Sequence, residues 1–494
     1  MNNWFGRWLA AVAAGLAVVS AAQAKDALER IREQGVLKWG ADAEGGAPYV
    51  FPDPQKPERL IGFEVDLAEA LARKLGVRAE MVQNQWDGLV PALQRGNFDL
   101  VLNGLELTAE HRQQIAMSSP YYAFAQQIVT RKNTPGLTRL DHLKGKVVGT
   151  LSATAAQRLL EALGGVEMRT YPGQVEPFRD LNNGRLDAVL LDLPIVTYYL
   201  AREPNLQRSG EPFALGYYGI GVRREDTALL AALNAALAEL RVAGTLQNIY
   251  ARYGLWDANQ AKLADYREEE LAEARRVSTL REWRRYLPLL LRGALVTVEI
   301  SCLSMVLAVA LGLLMALLRL YGAAPVRWGA AAYVELVRGT PLLIQLYLIY
   351  YGLPNLGIKL NAFAAAVLGL GLNYAAYEAE NYRAGIQAIP RGQMEAALSL
   401  GMTRLLALRR IIVPQAVRLV IPPVTNDFIA LFKDSSLVSV ITMVELTKVY
   451  GLLATTTYDY IGLGLMTAAL YFGLSYPASL FANQLERTLR HDHR

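Results

Sequence analysis

Five apolar runs in the C-terminal part of the chain, at 294–318, 339–353, 362–382, 417–432 and 462–481, restrict its fold more than any other feature. A straight membrane-spanning helix takes roughly 20 apolar residues. The second and fourth runs reach that length only with their flanks, 335–339 and 414–416, and Pro422 with Pro423 should kink the fourth. Before about residue 260 the pattern changes to alternating apolar and charged residues, as in a soluble α/β protein. The averages, 53% hydrophobic residues and a mean hydropathy of +0.18, blend the two regions. A chain of 494 residues also exceeds what one hydrophobic core organises. The expectation is a soluble domain joined to an all-α membrane domain of about five transmembrane helices.

The N-terminus indicates the side on which the soluble domain lies. Arg7, an apolar core at 8–19 and the Ala22-Gln23-Ala24 sequence form a signal-peptide pattern over 1–24. Left uncleaved, the same segment would anchor the domain on the same side. The exported domain then spans 25–259, and five spans bring the C-terminus to the cytoplasm. Arg319, Arg327, Arg391, Arg404, Arg409, Arg410, Arg487 and Arg490 fall on that inner side, as positive charges should, whereas Arg284 and Arg285 fall outside. The formal charge of +5 therefore reads as topology, with no basic stripe suited to nucleic acid. Cys302 is the only cysteine, so an intramolecular disulfide and a cysteine metal cluster are excluded.

Within 25–259, "GVLKWGAD" reads as a strand, "FEVDLAEALARKLG" as an amphipathic helix and "FDLVLNGLEL" as a strand, and the alternation repeats through "KVVGTLSATAAQRLLEALGG" and "RLDAVLLDLPIVTYYLA". This pattern implies two α/β lobes whose strand-end loops face each other. The ordered series Gly40-Ala41-Asp42, Gly62 to Leu67, Trp86-Asp87, Gly96 to Asp99, "SSPYY" from Ser118, "GRLDAVLLD" from Gly184 and "YYGIGVRRED" from Tyr217 resembles the periplasmic amino-acid-binding proteins of ABC importers. The resemblance implies a two-lobed α/β periplasmic-binding-protein fold of type II, with one lobe at about 25–131 and 222–259 and the other at about 132–221. Such a receptor needs donors for a carboxylate, an anion for an ammonium and an apolar face for a side chain. By position in that family, Asp192 would receive the α-ammonium, Thr154 would donate to the carboxylate, and Trp86 and Tyr49 would stack on the side chain. A capping aspartate and a plain core tryptophan are the competing readings of Asp192 and Trp86.

The sequence departs from the family after Thr108, where a Thr-x-x-Arg pattern usually supplies the carboxylate-binding arginine. Here His111 stands at that position, Arg112 follows it, and Glu106 replaces a small hydroxyl residue. Either Arg112 does the arginine's work with Glu106 as its ion-pair partner, or the ligand is an amine or opine and not an ordinary α-amino acid. Arginine is the better bidentate partner for a carboxylate, which favours the first. Asp42, Glu44 and Glu106 would make the mouth acidic and suit a basic or polar amino acid.

A linker at 260–286, dense in both charges, leads to the membrane domain at 287–494. In its 392–416 loop, Glu395-Ala396-Ala397, three residues, Gly401, nine residues, Ile411, one residue and Val413-Pro414 resemble the EAA loop of ABC importer permeases. "VELVRGTPLLIQL", "AAYEAENYRAGI" and "LFKDSSLVSVI" extend the likeness to the polar-amino-acid branch. The resemblance implies that Glu395, Ala396, Ala397, Gly401 and Pro414 couple the permease to an ABC ATPase subunit, and that two permease domains work together, here as a homodimer. No Gly-x-x-x-x-Gly-Lys-Ser/Thr segment occurs, so this chain binds no cofactor by that route, and ATP and Mg belong to the partner. Glu378 and Glu380 lie late in the third run. Arg383 is at helical spacing from Glu380 and is its expected ion-pair partner at the inner surface. A ligand-gated channel would need a filter segment, and a hydrolase or dehydratase an acid/base pair, for which only Glu106 with His111 offers itself.

Overall fold

The computed structural model describes residues 26–43, 46–134, 136–264, 266 and 279–491. The signal-peptide pattern of 1–24, Glu44, and linker residues 265 and 267–278 lie outside them. The chain forms two compact units, one N-terminal and one C-terminal.

In the N-terminal unit, strands β1 (Val36–Ala41), β2 (Phe51–Pro52), β3 (Leu60–Ile61), β4 (Arg78–Gln83), β5 (Leu100–Val101), β6 (Ala116–Met117), β7 (Tyr122–Arg131), β8 (Val147–Leu151), β9 (Glu167–Tyr171), β10 (Ala188–Asp192), β11 (Leu206–Tyr218) and β12 (Gly221–Val222) alternate with helices. The first sheet has the order β4-β1-β5-β12-β6, with β1 parallel to both neighbours. The second has the order β11-β7-β10-β8-β9, and its long β7 and β11 run antiparallel. These are two lobes joined at β7 and β11, so the two-lobed α/β reading holds. Local sequence explains the elements. The helix Phe63–Leu75 buries Phe63, Leu67 and Leu71 at helical spacing and ends at Gly76 in the left-handed conformation. It begins after Gly62, whose φ of 143° and whose missing Cβ, 1.9 Å from the Tyr49 carbonyl oxygen if present, admit only glycine.

From Thr279 on, the described residues form helices joined by turns. The long helix Thr279–Tyr321 packs along Ala362–Gln387, and Ile300, Ala308, Ala365, Ala366, Leu370 and Leu431 form a buried seam. A Cβ on Gly371 would lie 2.6 Å from Leu307, so small residues set this close approach. By length and composition two helices suffice to cross a membrane, Tyr286–Tyr321 and Tyr460–Ala482. The run at 339–353 forms only a short apolar helix, Leu342–Leu356. The helix Val413–Asp434 continues through Pro422 and Pro423, and a 58° bend separates Arg404–Ile441 from Leu446–Thr457.

Candidate functional site

Asp192 ends β10, buried, with both carboxylate oxygens engaged. Gln126 Nε2 donates to Oδ1 at 2.6 Å and the Tyr218 hydroxyl donates to Oδ2. Tyr218 in turn shares a 2.8 Å hydrogen bond with Tyr49, whose buried ring leans on Phe63 at 5.2 Å. Burial, and then the charge of Glu106, push the Asp192 carboxyl up to about 7. Asp42 accepts from the Trp86 backbone N–H at 2.9 Å and from Gln83 Nε2 at 3.0 Å, which fixes the turn that presents Trp86. The Trp86 indole N–H crosses to the second lobe and donates to Ser152 O at 3.1 Å.

The structure corrects the sequence reading around Glu106. Its carboxylate, 2% exposed as a residue, pairs with Arg158 and not with Arg112, and also accepts from the Ala155 backbone N–H at 2.7 Å. Arg112 instead donates to the Tyr266 hydroxyl at 2.8 Å. His111 is buried, with Nδ1 2.7 Å from Glu106 O, and burial lowers its pKa, which favours the neutral ring. The Thr154 side chain bonds backbone groups. It caps the helix Ala155–Leu163 by accepting from Gln157 N at 3.4 Å, and its hydroxyl proton goes to Leu151 O at 2.9 Å. The reason for these corrections is tertiary. That helix belongs to the second lobe and brings Arg158, one turn beyond Thr154, against a first-lobe acid. A cleft of about 350 Å³ opens beside the pair, lined by Glu106, Thr108, Phe124, Ala155, Arg158 and Tyr217 among others. Arg158, Gln126 and Tyr218 were not singled out from sequence.

In the helical unit Glu380 joins Arg383 Nε at 3.0 Å, as its spacing suggests, and also Arg319 Nη1 at 2.7 Å from the long helix. Glu378 is fully buried beside Asp427. A polar cavity of about 510 Å³ is lined by Arg338, Asn373, Tyr374, Tyr377, Asp427 and Asp434 with five neighbours. The loop at 392–416 forms the helix Arg391–Ser399, a turn at Gly401 with φ of 81°, and short helical turns into Val413–Asp434. Glu395, Ala396 and Pro414 are exposed, and Ala397 is buried.

A two-lobed domain with a buried acid, and a helical unit with a polar cavity and an exposed loop helix, are the parts of a receptor and a permease in one chain. Residues 37–255 match the bacterial extracellular solute-binding proteins, family 3, and 308–491 match the binding-protein-dependent transport system inner membrane component. A probable amino-acid ABC transporter permease of Bacillus subtilis (strain 168) is 37% identical over 204 residues, 41% of this chain and 90% of that protein. The L-cystine-binding protein of Escherichia coli (strain K12) is 33% identical over 247 residues, 49% of this chain and 91% of that protein. Among solved structures, a mutant of ArgBP from T. maritima is 32% identical with a TM-score of 0.43, over 46% of this chain and 98% of that one. The chain belongs to the amino-acid ABC importers, its N-terminal part to their solute-binding family and its C-terminal part to their inner-membrane permeases.

Proposed function

We propose that this chain is the receptor-permease subunit of an importer that captures a polar or basic amino acid outside the cytoplasmic membrane and passes it inward through about five spans, driven by ATP and Mg on a separate ATPase subunit. The observation that carries the ATPase assignment is the loop helix Arg391–Ser399. Glu395 and Ala396 are presented to solvent, and Leu400 and Leu405 are 83% and 77% exposed around the Gly401 turn. Small and apolar groups flanking one acid suit entry into a groove on a partner. Two copies of the chain would supply the two permease domains, and native mass spectrometry of the complex purified with its ATPase should show two of each; a single receptor-permease chain would refute the homodimer.

Glu106 and Asp192 are two buried acids in one receptor, with the Arg158 guanidinium beside them, and that balance favours a ligand bearing extra positive or polar character. Calorimetric titration of the full chain in nanodiscs should therefore show arginine, lysine or glutamine binding more tightly than glutamate. Preference for glutamate would overturn this substrate class.

A further inference from the structure

Trp86 and Glu106, both on the first lobe, reach across to one short segment of the second, from Ser152 at the end of β8 to Arg158 in the helix Ala155–Leu163. The Trp86 indole N–H donates to Ser152 O at 3.1 Å, and the Glu106 carboxylate accepts from the Ala155 backbone N–H at 2.7 Å and pairs with Arg158. The two reaching residues are held in place on their own lobe. Asp42 accepts from the Trp86 backbone N–H at 2.9 Å and gives its own backbone N–H to Asn103 Oδ1 at 2.9 Å, while Glu106 bridges to Tyr218 through the backbone. The receiving segment is held too. Ala153 has a φ of 59°, in the left-handed region that residues with a Cβ seldom occupy, and its N–H donates to Gln157 Oε1 at 2.8 Å. The Ser152 carbonyl and the Ala155 N–H, on either side of this strained residue, both meet the first lobe.

We propose that Glu106, assisted by Trp86, is a clasp that draws the two lobes together through bonds between protein groups, so that part of the free energy of closure is built into the chain and is the same for every substrate. Charge-assisted hydrogen bonds are roughly twice as strong as neutral ones, and the Glu106 carboxylate receives one from a guanidinium and one from a backbone N–H. That N–H opens a helix, whose start favours an anion. A buried ion pair is not stabilising in itself, because removing both charges from water opposes their attraction. Here the Arg158 side chain stays 27% exposed and keeps part of its hydration, and the helix start adds to the attraction, so the balance favours closure. The small hydroxyl residue usual at this position in the family has no charge to offer Arg158. A bound amino acid adds its own contacts to a receptor already drawn toward the closed form, and the clasp slows its escape without choosing among amino acids.

The test is single-molecule fluorescence energy transfer across the lobes of the full chain in nanodiscs. Dyes are placed at two exposed positions, Ala235→Cys on the first-lobe helix Thr227–Val242 and Ala162→Cys on the second lobe. Cys302, the only native cysteine, is removed as Cys302→Ser, and excess unlabelled chain leaves one labelled copy per particle. With no amino acid added, the expected result is a closed population in exchange with an open one, and a closed-to-open ratio that Glu106→Gln lowers at least about tenfold. Trp86→Phe, which keeps a ring but lacks the N–H, should lower the ratio by about threefold. Glu106→Gln with Arg158→Gln should fall no more than about twofold below the lower single variant, as two ends of one interaction do, whereas Glu106→Gln with Trp86→Phe should multiply. Unrelated damage at positions 106 and 158 would multiply as well, so the two double variants separate a clasp from a weakened fold. A chain that shows no closed population without an amino acid, or a ratio unchanged by Glu106→Gln, would overturn the proposal. Should Glu106→Gln fail to fold, an unchanged ratio in both Arg158→Gln and Trp86→Phe would overturn it equally.

Discussion

At the residue scale, Asp192 is the group with the clearest consequence. Its carboxyl is held at about 7 by burial and by Glu106, far above its ordinary value of 3.8. It is therefore protonated in the receptor at pH 6 and ionised at pH 8. An ammonium needs the ionised form, so binding should strengthen from pH 6 to pH 8 and release a proton below about pH 7, up to tenfold in affinity per pH unit. The stability sign is opposite. The unfolded chain gives up this proton at lower pH than the folded one, so Asp192 weakens the fold as pH rises from about 4 toward 7. Calorimetry in buffers of different ionisation heat reads the released proton, and Asp192→Asn should remove both the release and the pH slope. Asp192, Tyr49 and Trp86 were singled out because each sits in a short ordered motif; in the fold Asp192 and Tyr49 both bond the Tyr218 hydroxyl, and Trp86 reaches the second lobe at Ser152. Arg158 was not singled out. Its partner Glu106 is 52 residues away on the other lobe, and only the meeting of the lobes joins them. Thr154 was read as a carboxylate donor, and in the fold its side chain caps the helix Ala155–Leu163.

At the element scale, the two lobes were readable because strand and helix periods differ, whereas the membrane helices were read less well. Hydropathy counts apolar residues and is blind to breaks. The run at 339–353 looks like part of a span, yet the chain there passes through a π-helical turn at Leu348–Gly352 and stops at Gly357 in the left-handed conformation. Close packing is the other feature that hydropathy leaves out. A Cβ on Gly312 would stand 2.6 Å from Glu378 Cβ and 3.0 Å from the Ala375 carbonyl oxygen, so Gly312→Leu should force Thr279–Tyr321 away from Ala362–Gln387. The expected readout is a melting temperature in detergent lowered by several degrees, with no change in a protein carrying Gly329→Leu, where a Cβ meets nothing within 4 Å. At the loop, Gly401 with φ of 81° makes a bulky residue costly by roughly 1 kcal/mol or more. Gly401→Leu should abolish uptake while amino-acid binding stays within about twofold of wild type, and normal uptake by that variant would remove the loop from the coupling path.

At the scale of the whole molecule, a receptor tied to its permease is held at an effective concentration that a short linker can raise to about the millimolar range. Substrate release at the gate then needs no diffusing receptor, and the affinity of a loaded receptor for the permease can be weak without slowing transport. As proposed, one chain supplies both capture and passage, and a separate ATPase subunit supplies the energy. The most direct measurement is uptake of radiolabelled amino acid, with parallel ATP hydrolysis, by proteoliposomes that contain only this chain and its ATPase subunit, with no separate binding protein added. The expected result is ATP-dependent uptake, and ATP hydrolysis stimulated by the transported amino acid, both lost in Asp192→Ala. Uptake that appears only when a separate soluble binding protein is supplied, or that survives Asp192→Ala unchanged, would contradict it.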